Sequence, residues 1–474
     1  GFKFSIVGPG TGKTLYNNQY NNLEPRIGLA WDPFKKGRTS IRAAYGIFHD
    51  RVYGNLLGNT RGNPPFSLTA FNYLAEPLPG VTPPASIKPV DPAVVEDGAL
   101  AYVELIDPNL KTPISQNWNF GVQHAITSTM TLEVNYVGTK GNHLFRAVDG
   151  NPPQPNLISN LLAFCVPNNP LNMGFQTPSG QCDTTTLQFS NLWEGAGATL
   201  PSNAVYNNAF YTSSGPGAFL YKSIGNSNYN GMQVNLQKQF SHGLQFQFAY
   251  TYSHAISDVN DPLQPAGNNG NLPRNSFDLK AERGNSDFDI RHRAVINFVY
   301  EPNMGRGRGH FSEGIVGRIL EGWSLTGIID AQTGQPFDVF GLTDSNHTGL
   351  ISRVSQRGPT GQPPGTDKTY TGPSANSIYT TPFDVQPNTG KNEFYGPGLS
   401  NIDMAILKDT ALTEKLKLQF RLEVFNLFNH VQFAQPNNIY YQGESTFSES
   451  LSTITRADGT TSARQLQLAL KLIF

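Results

Sequence analysis

The feature that most constrains the fold is a strict alternation of apolar and polar residues near the C-terminus. In residues 463–474 one face is apolar, and it carries Leu466, Leu468, Leu470, Leu472 and Phe474. Residues 416–424 alternate in the same way, with Leu418 and Phe420 on the apolar face. Successive residues of a β-strand point to opposite faces, whereas a helical period would scatter these side chains around an axis. Both segments are therefore predicted to be strands with one apolar and one polar face.

The same alternation predicts nine further strands, which gives about eleven in all. They lie near residues 26–32, 40–49, 117–126, 131–138, 230–240, 244–253, 291–300, 322–332 and 400–408. Residues 1–7 have the pattern of the end of one more strand. An antiparallel all-β architecture follows from this number of alternating segments.

The connections between these strands alternate between short and long. Turns such as 32–37 and 241–243 are short, whereas long connections are expected at about 50–116, 139–229, 254–290, 333–399 and 409–463. Outer-membrane barrels have short periplasmic turns and long extracellular loops, while both ends of a soluble sandwich face the same solvent. The pattern predicts a transmembrane antiparallel β-barrel whose long loops are extracellular.

Composition narrows the classes of function. The chain has 34 Lys and Arg against 35 Asp and Glu, a net charge of −1, so a nucleic-acid partner is not expected. The longest apolar run, 161–166, is far shorter than the roughly 18 residues that a membrane helix needs. The first residues contain neither Met nor a leader, which favours a fragment that lacks its N-terminal part.

Motifs that carry enzymatic chemistry are weak. Residues 8–14 look like a phosphate-binding loop, but Val7 stands where that motif needs glycine. Asp287 and Asp289 could pair as acid and base, although the basic residues that follow favour a charge cluster facing a lumen. Residues 258–261 are similar to a calcium loop but lack its glycine, so a loosely bound calcium ion stays an alternative. No enzyme and no resident cofactor are expected.

Two cysteines and several aromatic residues fit a cell-surface barrel. Cys165 and Cys182 lie in the longest loop, and in an oxidising location a disulfide between them is the prediction, with two unpaired thiols as the alternative. Aromatic residues near strand ends fit the girdles at bilayer interfaces: Trp118, Tyr136, Tyr250, Tyr252, Tyr300 and Trp323.

Six stretches carry a resemblance to a known family. They are residues 24–34, 40–51, 116–123, 133–141, 287–293 and 420–430, the last reading Phe-Arg-Leu-Glu-Val-Phe-Asn-Leu-Phe-Asn-His. Together they make the chain similar to the C-terminal barrel part of TonB-dependent outer-membrane receptors of Gram-negative bacteria, in the Oar-like branch. The resemblance implies that residues 1–474 hold about the last 11–12 strands of a 22-stranded barrel. It also implies a plug and a TonB-contacting segment that this chain does not contain.

The function implied by the resemblance is non-enzymatic import of a bulky ligand, either a chelated metal or a glycan. Its partners would be outer-membrane lipid, the TonB complex and the barrel assembly machinery, for which Phe474 would be the recognition signal. The polar face of the last two strands is expected to face the lumen, through Gln419, Arg421, Glu423, Gln467 and Lys471. A surface adhesin or scaffold barrel without transport, and a soluble glycan-binding β-protein, are the alternatives.

Overall fold

The fold was analysed in a computed structural model of the chain. The structure describes residues 14–58, 103–149, 218–259, 278–306, 308–341, 389–414, 416–440, 450–454 and 463–474, with short pieces at 60, 211–212, 215–216, 272–273, 355–356 and 379–380. Among these residues, no helix is both long enough and apolar enough to cross a membrane.

In the described part of the chain, eleven long strands form one antiparallel path, and each is hydrogen-bonded to the next long strand in sequence. They are β1 (Arg26–Trp31), β2 (Thr39–His49), β3 (Ile114–Ala125), β4 (Met130–Asp149), β5 (Ala218–Ser241), β6 (Leu244–Ser257), β7 (His292–Tyr300), β8 (Trp323–Gln332), β9 (Leu399–Ala411), β10 (Lys417–Phe425) and β11 (Gln465–Ile473). The prediction of an antiparallel all-β architecture, in which each long strand pairs with its neighbour in sequence, is confirmed.

Short strands lie in the long connections, at one end of this sheet. Val103–Ile106 pairs in parallel with the start of β5, and Gly284–Asn285 pairs with the end of β6. Four two-stranded sheets join further short strands: Tyr211–Thr212 with Gly215–Pro216, Pro336–Phe337 with Phe394–Tyr395, Phe340–Gly341 with Ile439–Tyr440, and Ser355–Gln356 with Tyr379–Thr380. The described helices are Gly54–Gly58, Gly314–Leu320 and a 3₁₀ turn at Leu279–Glu282.

The register aligns the apolar side chains of neighbouring strands on one face of the sheet. Two rows of paired residues illustrate it: Leu468, Leu422, Ile406, Leu325, Tyr300 and Leu244 in β11 to β6, and Leu29, Ala43, Phe120, Tyr136, Met232 and Tyr252 in β1 to β6. Many of these side chains are exposed, as is expected of a face that contacts lipid rather than a protein core.

The turns at one end of the sheet are short and locally stabilised. The Asp32 carboxylate accepts hydrogen bonds from the backbone N–H groups of Phe34, at 3.1 Å, and Gly37, at 2.7 Å. The two-residue turn between β5 and β6 places His242 at φ 53° and Gly243 at φ 77°. Two positive φ angles are the geometry of a tight hairpin turn that follows the natural twist of the strands.

The strands β4 and β5 extend beyond their predicted ends. The alternation predicted strands near 131–138 and 230–240, with the residues between them as a loop, whereas the observed strands are Met130–Asp149 and Ala218–Ser241. The extensions carry part of a small buried core: Phe145, Ala147, Phe219 and Tyr221, together with Leu56, Leu110 and Leu272. Because this core buries the extensions, they do not show the clean two-faced pattern from which the other strands were predicted.

Candidate functional site

The first candidate site is the polar face of the sheet. In the register Gln419 lies opposite Lys471, and Glu423 lies opposite Gln467, so the five residues predicted to face the lumen share one face. Arg421 forms an ion pair with Glu423 at 2.6 Å, and the Gln419 amide donates to Asp409 at 2.9 Å. That this face lines a lumen stays a prediction.

The polar face continues across the sheet. One row of paired positions contains Ser40, Gln123, Glu133, Asn235, Ala249, Val295, Asp330 and Asn401. Gln247 bridges two strands, because it donates to Asn235 at 3.1 Å and accepts from Asn297 at 3.4 Å. Arg293 forms an ion pair with Asp330 at 3.4 Å. The polar groups on this face therefore hydrogen-bond mainly to one another across neighbouring strands.

A cavity of about 320 Å³ opens where β6 to β10 lie side by side. Residues of the polar face that line it include Gln245, Asn297, Thr326, Asp403, Glu423 and Phe425. The Asp403 carboxylate accepts a hydrogen bond from the backbone N–H of Asn426 at 2.7 Å, which orients it at the end of β10. The lining of the cavity therefore combines carboxylate and amide groups with apolar side chains. Such a lining can contact a polar chain or a polar solute.

The second candidate site lies at the long-loop end, and its centre is the buried carboxylate of Asp289. The side chain of Asp289 is fully buried, and it accepts from the backbone N–H of Ala255 at 2.7 Å. Its other oxygen forms an ion pair with Arg291 at 3.2 Å. A buried carboxylate needs a countercharge and hydrogen-bond donors, and both are present here. The charge cluster predicted from residues 287–293 thus contains a local ion pair.

Arg291 connects this cluster to the next long connection of the chain. Its guanidinium donates to the Tyr395 hydroxyl at 3.0 Å. The pKa of Arg291 is raised above its ordinary value: partial burial disfavours the cation, but the hydrogen bond to Tyr395 and the charge of Asp289 outweigh that effect. Arg291 therefore stays positively charged and links the connection after β6 to the connection after β8.

Asn392 is the residue that joins most parts of this network. It lies at φ 51°, and its side-chain amide donates to the backbone oxygen of Asn285 at 2.9 Å and to Asp287 at 2.5 Å. Its backbone N–H donates to Asp338 at 2.5 Å. Asn285 in turn donates to the backbone oxygen of Asn392 at 2.8 Å. Asp287 was singled out from the sequence, whereas nothing in the strand periodicity marks Asn285, Asp338 or Asn392.

Other predicted site residues have separate outcomes. The Asp258 carboxylate binds the extended part of β5, because it accepts a hydrogen bond from the backbone N–H of Asn226 at 2.6 Å. Within the described part of the chain, no group of three or more His, Cys, Asp and Glu residues is arranged to hold a metal ion. Cys165, Cys182, residues 260–261 and most of the 8–14 loop lie outside the described residues. Phe474 follows β11 and is 94% exposed, and its role as an assembly signal stays a prediction.

Solved structures with a similar arrangement come from several bacteria. The outer membrane transporter YddB from Escherichia coli is 10% identical with a TM-score of 0.42, and the match covers 95% of this chain and 40% of that one. BauA, the ferric preacinetobactin receptor from Acinetobacter baumannii, is 11% identical, with a TM-score of 0.37 and coverage of 95% and 36%. The FrpB iron transporter from Neisseria meningitidis is 10% identical, with a TM-score of 0.38, and 39% of its chain is covered.

This chain thus spans about two fifths of the length of each of these proteins. None of the curated proteins matches the chain. The family described as "Outer membrane beta barrel domain" matches residues 2–467 of the 474. The sheet has one apolar and one polar face, and the family match covers almost the whole chain. The chain therefore belongs to the family of outer membrane beta barrel domains of the bacterial outer membrane.

Proposed function

We propose that this chain is the C-terminal barrel part of a TonB-dependent receptor of the Oar-like branch, which imports a bulky ligand such as a chelated metal or a glycan. The observation that carries the proposal is the polar face that continues across the strands from β2 to β11. Side chains alone fill only narrow barrels, so a polar interior of this breadth fits a barrel that encloses a plug or a passage.

In this proposal the two candidate sites have different roles. The network around Asp289 and Asn392 fixes two long connections at one end of the sheet, which makes a stable platform for first contact with the ligand. The cavity beside Asp403 and Glu423 lies on the polar face, where a plug or a passing ligand would touch it. Import across the outer membrane would draw on TonB and on the proton gradient of the inner membrane.

The experiment is an uptake assay with the full-length protein in cells. Radiolabelled ferric chelates and fluorescent oligosaccharides are offered to cells with and without the receptor gene, and each assay is repeated with a protonophore and in a strain without TonB. We expect one probe class to accumulate only with the receptor, TonB and the gradient all present. Probe that binds to cells without energy-dependent accumulation would favour the adhesin or scaffold alternative.

A further inference from the structure

The connection between β7 and β8 lies at the same end of the sheet as the short turns. It differs from them because it is longer and contains an apolar helix. The helix Gly314–Leu320 has three exposed aliphatic side chains, Ile315 at 78%, Val316 at 54% and Ile319 at 58%. Phe311, just before it, is 65% exposed. Four large apolar side chains on the surface are not expected of a turn that only reverses the chain in water.

Two residues from the apolar face of the sheet hold this helix in place. Trp323 and Lys408 are paired in the register and alternate with Leu325 and Ile406 on that face. The Trp323 indole N–H donates to the backbone oxygen of Ile319 at 2.7 Å. The helix is therefore attached to the lipid-facing side of β8 and β9, and not to the polar side.

Lys408 completes the attachment. Its ammonium donates to the backbone oxygens of Arg318, at 3.3 Å, and of Glu321, both at the C-terminal end of the helix. The same ammonium lies 5.7 Å from the centre of the Trp323 ring. The last carbonyls of a helix need donors, and a lysine that bends its charged end back to them can keep its aliphatic stem in an apolar layer.

The backbone of the connection is also tightly folded, so the helix has a fixed orientation. A side chain at Gly305 would meet backbone atoms of Glu321 at 2.3 Å, which shows how closely the two ends of the connection approach. The backbone N–H of Arg306 donates to the oxygen of Gly317 at 3.2 Å, and Gly317 is the buried residue of the helix. The exposed aliphatic side chains are thus on the side that the connection does not cover.

We propose that the helix Gly314–Leu320 is an interfacial anchor that lies in the phospholipid leaflet on the short-turn side of the outer membrane. Its aliphatic side chains continue the apolar face of β7 to β9, which is the lipid-contacting surface of this family of barrels. Exposed Arg306 and Arg318 on the same connection offer guanidinium groups to the phosphates of the headgroups, and Glu313 is exposed beside them. A helix of this kind typically sinks its apolar face about 5–10 Å into the boundary between headgroups and acyl chains.

Site-directed spin labelling of the full-length protein tests this anchor. Nitroxides are attached to Ile315→Cys and Ile319→Cys, and to Lys35→Cys in the polar turn after β1 as the control, with Cys165 and Cys182 replaced by Ser. In vesicles of phosphatidylethanolamine and phosphatidylglycerol, we expect labels at 315 and 319 to collide with oxygen more often than with a water-soluble nickel chelate. The label at 35 should show the opposite preference.

Each other result overturns the proposal. Labels at 315 and 319 that are as accessible to nickel as the label at 35 would place the helix in water. Labels that neither reagent reaches would place it under a protein segment instead of lipid. If the serine background does not fold, a photoreactive phenylalanine at 315 or 319 in the native background should crosslink to phospholipid, and a crosslink to protein alone would contradict the anchor.

Discussion

At the scale of single residues, each strand position is assigned to the apolar or to the polar face of the sheet by its parity alone. Leu468 and Gln467 are neighbours in β11, and the register pairs them with Leu422 and Glu423. This assignment was available from the sequence, because the side chains of β11 differ so clearly between its two faces. The network around Asn392 was available only in part. The charged residues of 287–293 stand out in the sequence, but Asn285, Asp338 and Asn392 lie in connections that periodicity does not describe.

The first prediction compares these two neighbours. Leu468→Arg should lower the free energy of unfolding by roughly 2–4 kcal/mol, since it places a charge against lipid near the middle of the bilayer. Gln467→Arg should change it little, because the polar face tolerates charge. Urea titrations of the full-length protein in lipid vesicles measure both values. Equal costs for the two variants would contradict the assignment of faces.

The second prediction concerns Asn392. Asn392→Gly keeps a residue that adopts the positive φ angle easily and removes only the amide that binds Asn285 and Asp287. Loss of these contacts should cost about 1–3 kcal/mol locally and speed proteolysis of the long connections, while the sheet keeps its unfolding midpoint. Glu393→Gln is the control, because it retains an acceptor for the backbone N–H of Gly390. Unchanged proteolysis in Asn392→Gly would show that the network does not fix these connections.

At the scale of elements, the strands were predictable and their extensions were not. All eleven predicted strands are observed, because the alternation of apolar and polar residues that identifies each strand lies within that strand. The ends of β4 and β5 escaped prediction, since Phe145 and Phe219 pack against Leu56 and Leu110 from distant parts of the chain. Contacts of this kind depend on the tertiary structure and leave no local pattern. The helix Gly314–Leu320 was missed for a similar reason, because it is too short for a periodic signal.

The third prediction belongs to the final strand. Phe474 lies beyond the last residue of β11 that pairs with β10, and its ring is almost fully exposed. Before a barrel closes, its last strand offers a free backbone edge to which another sheet can add. Deletion of Phe474 from the full-length protein should therefore reduce insertion in cells more than it lowers the stability of protein refolded in detergent.

Insertion in cells and stability in detergent are measured on the same variant. Heat-modifiable electrophoretic mobility of outer-membrane fractions gives the folded amount, and urea titration of the refolded protein gives the stability. A matched Phe474→Tyr variant should insert normally, because it keeps an aromatic ring at the terminus. Parallel losses in both assays on deletion would make Phe474 a packing residue and would end its role as an assembly signal.

At the scale of the whole molecule, the two ends of the sheet differ in their connections and in the residues buried there. One end has the turns 32–38, 126–129, 242–243 and 412–416 and the anchored helix between β7 and β8. The other end carries the extended β4 and β5, the small buried core and the network around Asp289. From this asymmetry we expect the end with the long connections to face outward.

Antibody access on intact cells measures the orientation of the sheet in the outer membrane. Epitope tags are inserted after Gly180 or Gly361, in two long connections, and after Lys35 or His242, in two short turns, of the full-length protein. We expect antibodies to reach the tags at 180 and 361 on intact cells, and to reach those at 35 and 242 only after the outer membrane is permeabilised. Labelling of the short-turn tags on intact cells, or equal labelling of all four, would contradict it.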